Sequence, residues 1–475
     1  MIFSSVTSDY KLIYEVFERV KNLVNVNNRL QKMNEITKNK ITNENITTLK
    51  RLGSRLWKKA HDTINALYGD MPDVRILNRF YSEKMLFENT DYIIMWDLVA
   101  ELRLRAKESN CLTKLAGTDT AAFSAFLLGA TETNPLPLHY LCPVCKRTEF
   151  AEERALPWDM PDKPCNCGAM MRLDGFNIPK EMCISRNLGP WPHLSVSSDF
   201  IGFAEKIIRE KTAGLYKICK LTKPEYPILH LVFLPFDTGA DCEENIDAVD
   251  DKYNSYPQIT IIPTAIYDNA QKLSGTTKID FAEIMTNISE RLFSDSHIMS
   301  AFRNGDIGGI PGFDSHRLSL TNKLREALTT VSPRNYYELL KYLGAMHGTG
   351  TWWDNAELLV KNKACEIGDI PSHRDDVFML LRDKLVESGH TDVGIAHNVA
   401  TKVRLGVYAR SGICAEDNSL IEYLNLPNWF IPYVEKIEYM ASKANSITGL
   451  RIALTFMWYK VNCPEAFSEC IESRL

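Results

Sequence analysis

The sequence predicts an α+β fold in which a small metal-stapled module interrupts a mixed region and a largely helical region follows. Three observations carry this. The apolar stretches "PILHLVFLPF" and "PQITIIPTAIY", both between residues 181 and 305, read as sheet strands. Residues 53–135 and 306–475 instead place apolar residues at helical spacing, as in "PNWFIPYVEKIEYMASKA" and "GLRIALTFMWYKV". Residues 136–180 lack long apolar runs and hold two tight cysteine pairs. With 475 residues, 45% of them hydrophobic, the chain can fill the cores of about two to four domains.

In chain order, residues 9–24 form an amphipathic helix by pattern: Leu12, Ile13, Val16, Phe17, Val20, Leu23 and Val24 follow a cap at Ser8 or Asp9. The Asn- and Lys-rich stretch over residues 25–48 reads as a linker or a weakly packed helix, so residues 1–52 stay unassigned. The helical segments of 53–135 end at "TNPLPLHY", where two prolines break the pattern. Residues 136–180 form the cysteine module, 181–305 the strand-bearing part and 306–475 the second helical part. An acidic stretch, "DTGADCEENIDAVDDKYN", separates the two strand candidates and reads as a solvated loop. No solenoid repeat is present.

A net charge of −5 excludes a global basic field, so any contact with nucleic acid has to come from local patches. No apolar run reaches the ~18 residues of a membrane span, and "MIFSSVTSDYKLIYEV" lacks a signal-peptide layout, so the expectation is a soluble, cytoplasmic protein. Of 12 cysteines, eight are scattered singly, which describes a reduced protein with one metal site rather than a disulfide scaffold.

"CPVC" sets Cys142 and Cys145 at Cys-x2-Cys spacing, and "CNCG" supplies Cys165 and Cys167. Each tight turn offers two thiolates, and the intervening loop lets the turns face each other, as a tetrahedral four-cysteine Zn2+ site requires. Sulfur fills every position, so no place remains for a reacting water and the zinc is structural. The second pair is one residue tighter than usual, which leaves Cys183 as an alternative to Cys167.

The stretches "ETNPLPLHYLCPVCKRTEF" and "DMPDKPCNCGAMMRLDGFNIP" resemble the zinc-binding insert of the PolC-type DNA polymerase III alpha subunit. Upstream, "ALYGDMP" resembles the start of that family's palm; downstream, "YLGAMHGTGTWWDNAELLV", "HRDDVFMLL" and "LPNWFIPYVEKIEYMASKAN" resemble its fingers. These colinear matches run from about residue 53 to 470. The resemblance implies a C-family (pol beta-like) palm in two parts, 53–135 and 181–305, flanking the zinc module, with fingers over 306–475. The family's OB-fold, phosphatase-type and exonuclease domains, and its duplex- and clamp-binding segments, are not expected within this length.

Phosphoryl transfer in such a palm needs two Mg2+ ions held by converging carboxylates. The family carries two aspartates at i and i+2 of one strand, in P-D-I-D-L-N-F, so that both point to one face. Pro192 matches the proline of that motif, and His193 and Ser195 then stand at the aspartate positions. The third carboxylate belongs to a motif like F-D-F-H-S-I-H-D-N; aligned on "IIPTAIYDN", its place is taken by Ile262. Imidazole nitrogen suits Mg2+ poorly, and serine brings no charge. A Ser-Arg-Gly-Ser motif that holds the triphosphate corresponds to Leu115, Ala116, Gly117 and Thr118, so its arginine is missing.

Relocated carboxylates have weak candidates. Asp199 has no partner two residues on, and Asp241 with Glu243 falls in the acidic loop. His347, Arg374 and Lys443 remain as candidate nucleotide or DNA contacts, beside Asp375 and Asp376, while a family histidine is Asn445 here. Each has a structural alternative: a packed corner for His347, an internal ion pair for Arg374 and a surface position for Lys443.

Two functions are compatible with this pattern. One is a catalytically inactive, element- or phage-encoded protein that binds a replisome partner or a primed DNA junction. The other is a minimal or split DNA-directed DNA polymerase in DNA replication, using Mg2+ held by unconventional carboxylates.

Overall fold

The computed structural model describes residues 43–88, 90–152, 154–183, 191–222, 228–235, 246–247, 256–288, 296–315, 317–390 and 392–472. The helix expected over 9–24 and the Asp241/Glu243 pair lie outside the described residues.

Helix α1 (Asn43–Tyr68) begins inside the Asn- and Lys-rich stretch and buries Leu56, Trp57, Ala60, Ile64 and Tyr68, a stripe at i, i+4 spacing. Helix α2 (Val74–Phe87) starts at Asp73, whose carboxylate accepts the Arg75 N–H at 2.8 Å. Helix α3 (Tyr92–Glu108) buries most of its length. Strand β1 (Thr113–Ala116) then interrupts a region that reads as helical, because four residues are too few for the period-two pattern to register. Helix α4 (Phe123–Leu128) follows, and the fully buried Glu83 accepts its Phe123 and Ser124 N–H groups while pairing with Arg79 at 2.6 Å.

The cysteine module is a three-stranded antiparallel sheet of β2 (His139–Leu141), β3 (Thr148–Phe150) and β4 (Arg172–Asp174), in the order β3-β2-β4. The main sheet adds β5 (His193–Val196), α5 (Ile201–Thr212), β6 (Tyr216–Thr222), β7 (Leu229–Pro235), β8 (Ile246–Asp247) and β9 (Gln258–Pro263). Its six strands run β1-β5-β9-β7-β6-β8, with β5 and β9 parallel. Only the first half of "PQITIIPTAIY" is strand. Thr264 caps helix α6 (Ala265–Thr277) by accepting the Ile266 N–H, which turns the chain back over the sheet. One face of the sheet is apolar: Leu115, Leu194, Val196, Leu231, Ile259 and Ile261 are each at most 1% exposed and belong to the main core.

The remaining chain is helical. It includes α7 (Phe281–Thr286), α8 (Ser296–Arg303), α9 (Leu318–Val331), α10 (Tyr336–His347), α11 (Glu357–Lys361), α12 (Arg374–Glu387), α13 (Gly394–Arg404), α14 (Val407–Ser411), α15 (Ala415–Tyr423) and α16 (Phe430–Val434). It closes with α17 (Lys443–Asn462) and α18 (Pro464–Glu472). Helix α17 is buried on nearly all sides, through Ile447, Leu450, Leu454, Phe456, Met457 and Tyr459. The stretch "PNWFIPYVEKIEYMASKA" is not one helix. It splits into α16 and the start of α17, because Glu438 N–H donates to the Thr349 carbonyl and Thr349 N–H to the Tyr439 carbonyl, each at 2.9 Å. Among the described residues no helix is long and apolar enough to cross a membrane.

Candidate metal centre and sheet-face site

The β2–β3 hairpin forms the first metal turn. Cys142 N–H donates to the Arg147 carbonyl at 2.9 Å and Lys146 N–H to the Cys142 carbonyl at 3.1 Å, with Lys146 in the left-handed region. The second turn closes by Cys165 N–H to Ala169 at 2.8 Å and Gly168 N–H to Cys165 at 2.9 Å. Gly168 takes φ +88° there, a conformation glycine adopts without steric cost, and this accommodates the tighter Cys-x-Cys spacing.

The sulfurs of Cys142, Cys145, Cys165 and Cys167 all lie within 4.8 Å of one another, with Cys142 to Cys167 at 3.4 Å and Cys145 to Cys165 at 3.5 Å. A tetrahedral site with metal–sulfur bonds of ~2.3 Å separates its sulfurs by about 3.8 Å, so the four thiols fit one metal ion. Cys183 is not among them. It is buried elsewhere, with its thiol 2.9 Å from the Ala121 carbonyl and beside Glu83.

The module is tied to its surroundings by polar contacts. Asn134 donates to Tyr68 Oη at 2.9 Å and to Asp174 at 2.7 Å. The Asp159 carboxylate accepts the Tyr336 and Tyr337 N–H groups at 2.7 and 2.9 Å, capping α10 from a distant part of the sequence. Sequence reading missed Asp159, which carries no local signal because its partners lie 177 and 178 residues away.

On the main sheet the register brings His193, Ser195 and Ile262 onto one face. Ser195 lies beside Ile262 and His193 beside Thr260 across the parallel β5–β9 pair. Across the antiparallel β1–β5 pair, Lys114 faces Ser195 and Ala116 faces His193. All of them except Thr260 are half-buried, opposite the apolar face, and β1, β5, β7 and β9 contain no aspartate or glutamate. Asp199 falls in the exposed turn after β5, and Asp268 accepts the Ser198 N–H and hydroxyl at 2.8 and 2.7 Å.

Lys114 was not singled out by sequence. Its only signal is the alternation of "TKLA", in which Leu115 is buried and its neighbours are not. Its Nζ donates to the Asn445 carbonyl at 3.4 Å, and burial lowers its pKa to about 8. Desolvation, then the nearby His230, lowers the pKa of His193. Asp119, three residues past β1, turns inward: it accepts the Trp96 indole N–H at 2.8 Å, and burial raises its pKa to about 7.

The candidate contacts of the helical part divide by burial: His347 is exposed, while Arg374 and Lys443 are buried where α12 meets α17, with Arg374 N–H donating to the Ala441 carbonyl at 3.3 Å. His347 is exposed at the end of α10, with Nε2 3.2 Å from the Gly312 carbonyl. Partial desolvation and the charges of Lys114 and His373 lower its pKa. Arg374 is 5% exposed and donates to the Met182 carbonyl at 2.6 Å. Lys443 is 6% exposed, so it is no surface lysine; its Nζ donates to the Asn177 carbonyl at 3.3 Å and its N–H to Asp375 at 3.1 Å. The ion pair at "HRDD" is made by Asp376, which binds Lys341 at 2.9 Å and His373 at 3.1 Å. Against the cost of burial, those partners hold the Asp376 carboxyl far below the usual range.

The chain is thus an α+β protein that joins a four-cysteine metal-binding cluster to a mixed sheet and a helical body. It is similar to proteins described as DNA polymerase III PolC-type, and the resemblance read from its motifs holds. It is 26% identical to that of Caldanaerobacter subterraneus subsp. tengcongensis over 86% of this chain and 33% of the relative. The corresponding figures are 25%, 85% and 32% for Clostridium perfringens, and 24%, 84% and 31% for Staphylococcus aureus. The chain spans about a third of the length of these curated relatives. No family model matches.

Proposed function

We propose that this chain is a catalytically inactive relative of the PolC polymerase that acts as a replication-associated binding or interference protein. It would engage a DNA junction or a replisome partner. In this reading β1, the main sheet and α1–α6 are the palm, the cysteine module is a structural Zn2+ insert, and the later helices are the fingers. The ion would be held by four thiolates with no open position, so it braces the fold and takes no part in a reaction.

One observation carries the inactive reading: at the strand pair where the resemblance puts the metal-holding carboxylates, the residues are His193, Ser195 and Ile262. A hard divalent ion finds no oxyanion there. The retained scaffold around that pair supports a binding role, since the strands, the insert and the long buried helix α17 are all built. The test is primer extension on a primed template with Mg2+ or Mn2+, beside a pull-down of replication proteins. No extension, together with capture of a replication protein or of primed DNA, is the expected outcome. Extension abolished by Asp199→Ala or Asp241→Ala would establish the minimal-polymerase alternative.

A further inference from the structure

Where the resemblance puts carboxylates, the sheet face carries a lysine and a histidine. Facing pairs on adjacent strands place Lys114 against Ser195 and Ala116 against His193. Such opposite residues have Cβ atoms ~5 Å apart and diagonal ones ~7–8 Å, so the Lys114 stem, the His193 ring and the Ser195 hydroxyl share one small area. The ammonium reaches the first turn of α17, where its single hydrogen-bond partner among the described residues is a carbonyl at 3.4 Å. That is a long contact for a charged donor with three N–H bonds. The exposed His347 ring at the end of α10 is near enough to feel the Lys114 charge. Lys114, His193 and Ser195, on strands without carboxylates, together with the His347 imidazole, form a donor set for an oxyanion and reject a cation.

We propose that this face holds a phosphate group directly, through Lys114, His193, Ser195 and His347, without a divalent metal ion. The phosphate comes from a nucleic-acid strand or from a free nucleoside triphosphate. This rests on the reading that the chain does not catalyse synthesis, and it says how DNA or nucleotide is held once the metals are gone. The depressed pKa of Lys114 agrees with it, since an anion beside the ammonium restores the charge that burial disfavours.

The test uses the full chain with its zinc retained, in buffer freed of Mg2+ and Mn2+ and without a chelator. Fluorescence anisotropy follows a labelled single strand over a salt series, and a second titration displaces it with dATP. The expected result is binding without Mg2+ or Mn2+ that Lys114→Met and Ser195→Asp each weaken about tenfold, as expected for losing or neutralising one charged hydrogen bond. The salt slope should also fall by roughly one phosphate contact. Displacement by dATP at concentrations that fill one site assigns the phosphate to free nucleotide; a strand that dATP does not displace assigns it to the nucleic-acid backbone. If Lys114→Met unfolds because Lys114 only latches β1 to α17, His193→Ala decides, since it adds no carboxylate to draw Lys114 away from α17 and should itself weaken binding severalfold.

Absence of binding to either probe in the zinc-loaded chain without Mg2+ or Mn2+, or binding that Ser195→Asp and His193→Ala both leave unchanged, overturns the proposal and leaves the inactive reading intact. Binding that requires Mg2+ and is accompanied by primer extension overturns both.

Discussion

At the cysteine centre, four thiols from two turns converge within 4.8 Å, each turn closed by its own backbone hydrogen bonds. On the β5–β9 face the backbone is just as ordered, in a register that aligns Ser195 with Ile262, yet no carboxylate is there. The difference teaches how unequally two sites depend on their side chains. Sulfur ligands at the first site also staple a module whose own apolar cluster is only six buried residues, so losing them costs the fold. Carboxylates on a sheet face would repel one another when no ion is present, so in the proposed reading their replacement costs the fold little.

Breaking the first site should therefore have the largest effect. Cys142→Ser is expected to reduce bound zinc, measured by mass spectrometry, from about one ion per chain to near none. Unfolding free energy should fall by several kcal/mol, because metal binding and module folding are one equilibrium. Amide exchange at Tyr336 and Tyr337 should rise as well, since Asp159 reaches them from the module. A wild-type chain that carries no metal and loses no stability with a chelator would remove the contrast between the two sites.

The next effect concerns a carboxylate that stayed near the face without serving it. Asp119 titrates near 7 when folded and near 3.8 when unfolded. The unfolded chain thus releases that proton first as pH rises, and stability falls between those two values by up to about 4 kcal/mol. Below the lower value neither state is ionised and the penalty vanishes. Asp119→Asn should flatten this slope, so that urea midpoints of variant and wild type converge near pH 4 and the variant is the more stable at pH 8. Equal pH slopes would place Asp119 in a solvated position, available to the face after all.

How much of this was legible follows from the range of each interaction. The cysteine pairs could be read because their spacing is local chemistry. His193, Ser195 and Ile262 were singled out by the resemblance alone, and the parallel register of β5 and β9 sets Ser195 beside Ile262 and His193 beside Thr260. Lys114 was hidden because a four-residue strand inside helical sequence gives no period, and its partners are on β5 and α17. Lys443 was legible as a residue but not as a buried one. Only the packing of α17 against Asn177 and Asp375 determines that. Lys341, the partner of Asp376, carried no motif at all.

A smaller effect sharpens the link between the two regions. Asp159→Ala removes two backbone acceptor contacts from the start of α10 and should cost about 1–2 kcal/mol, with zinc content unchanged. Asn335 still accepts the Glu338 N–H at 2.8 Å, which keeps the loss from being larger. Zinc loss in this variant would mean that the helical body holds the module together, rather than the reverse.

The smallest change in stability should come from His193→Asp combined with Ser195→Asp, within about 1 kcal/mol, because both positions are half-buried on the polar face of the sheet. It is nevertheless the most direct attempt to make the second site resemble the first. Two carboxylates would return to one face at i and i+2, the geometry a divalent ion needs. Primer extension with Mg2+ or Mn2+ should still be absent. Lys114 stands directly across from position 195 and would pair with the new carboxylate before any ion did. Ile262 would still offer no third oxygen ligand, and Ala116 no guanidinium for a triphosphate. Extension by this double variant alone would show that the face lost only two ligands. Extension that appears only after Lys114→Gly and Ile262→Asp are added would show that the lysine came to occupy the place the ions had left.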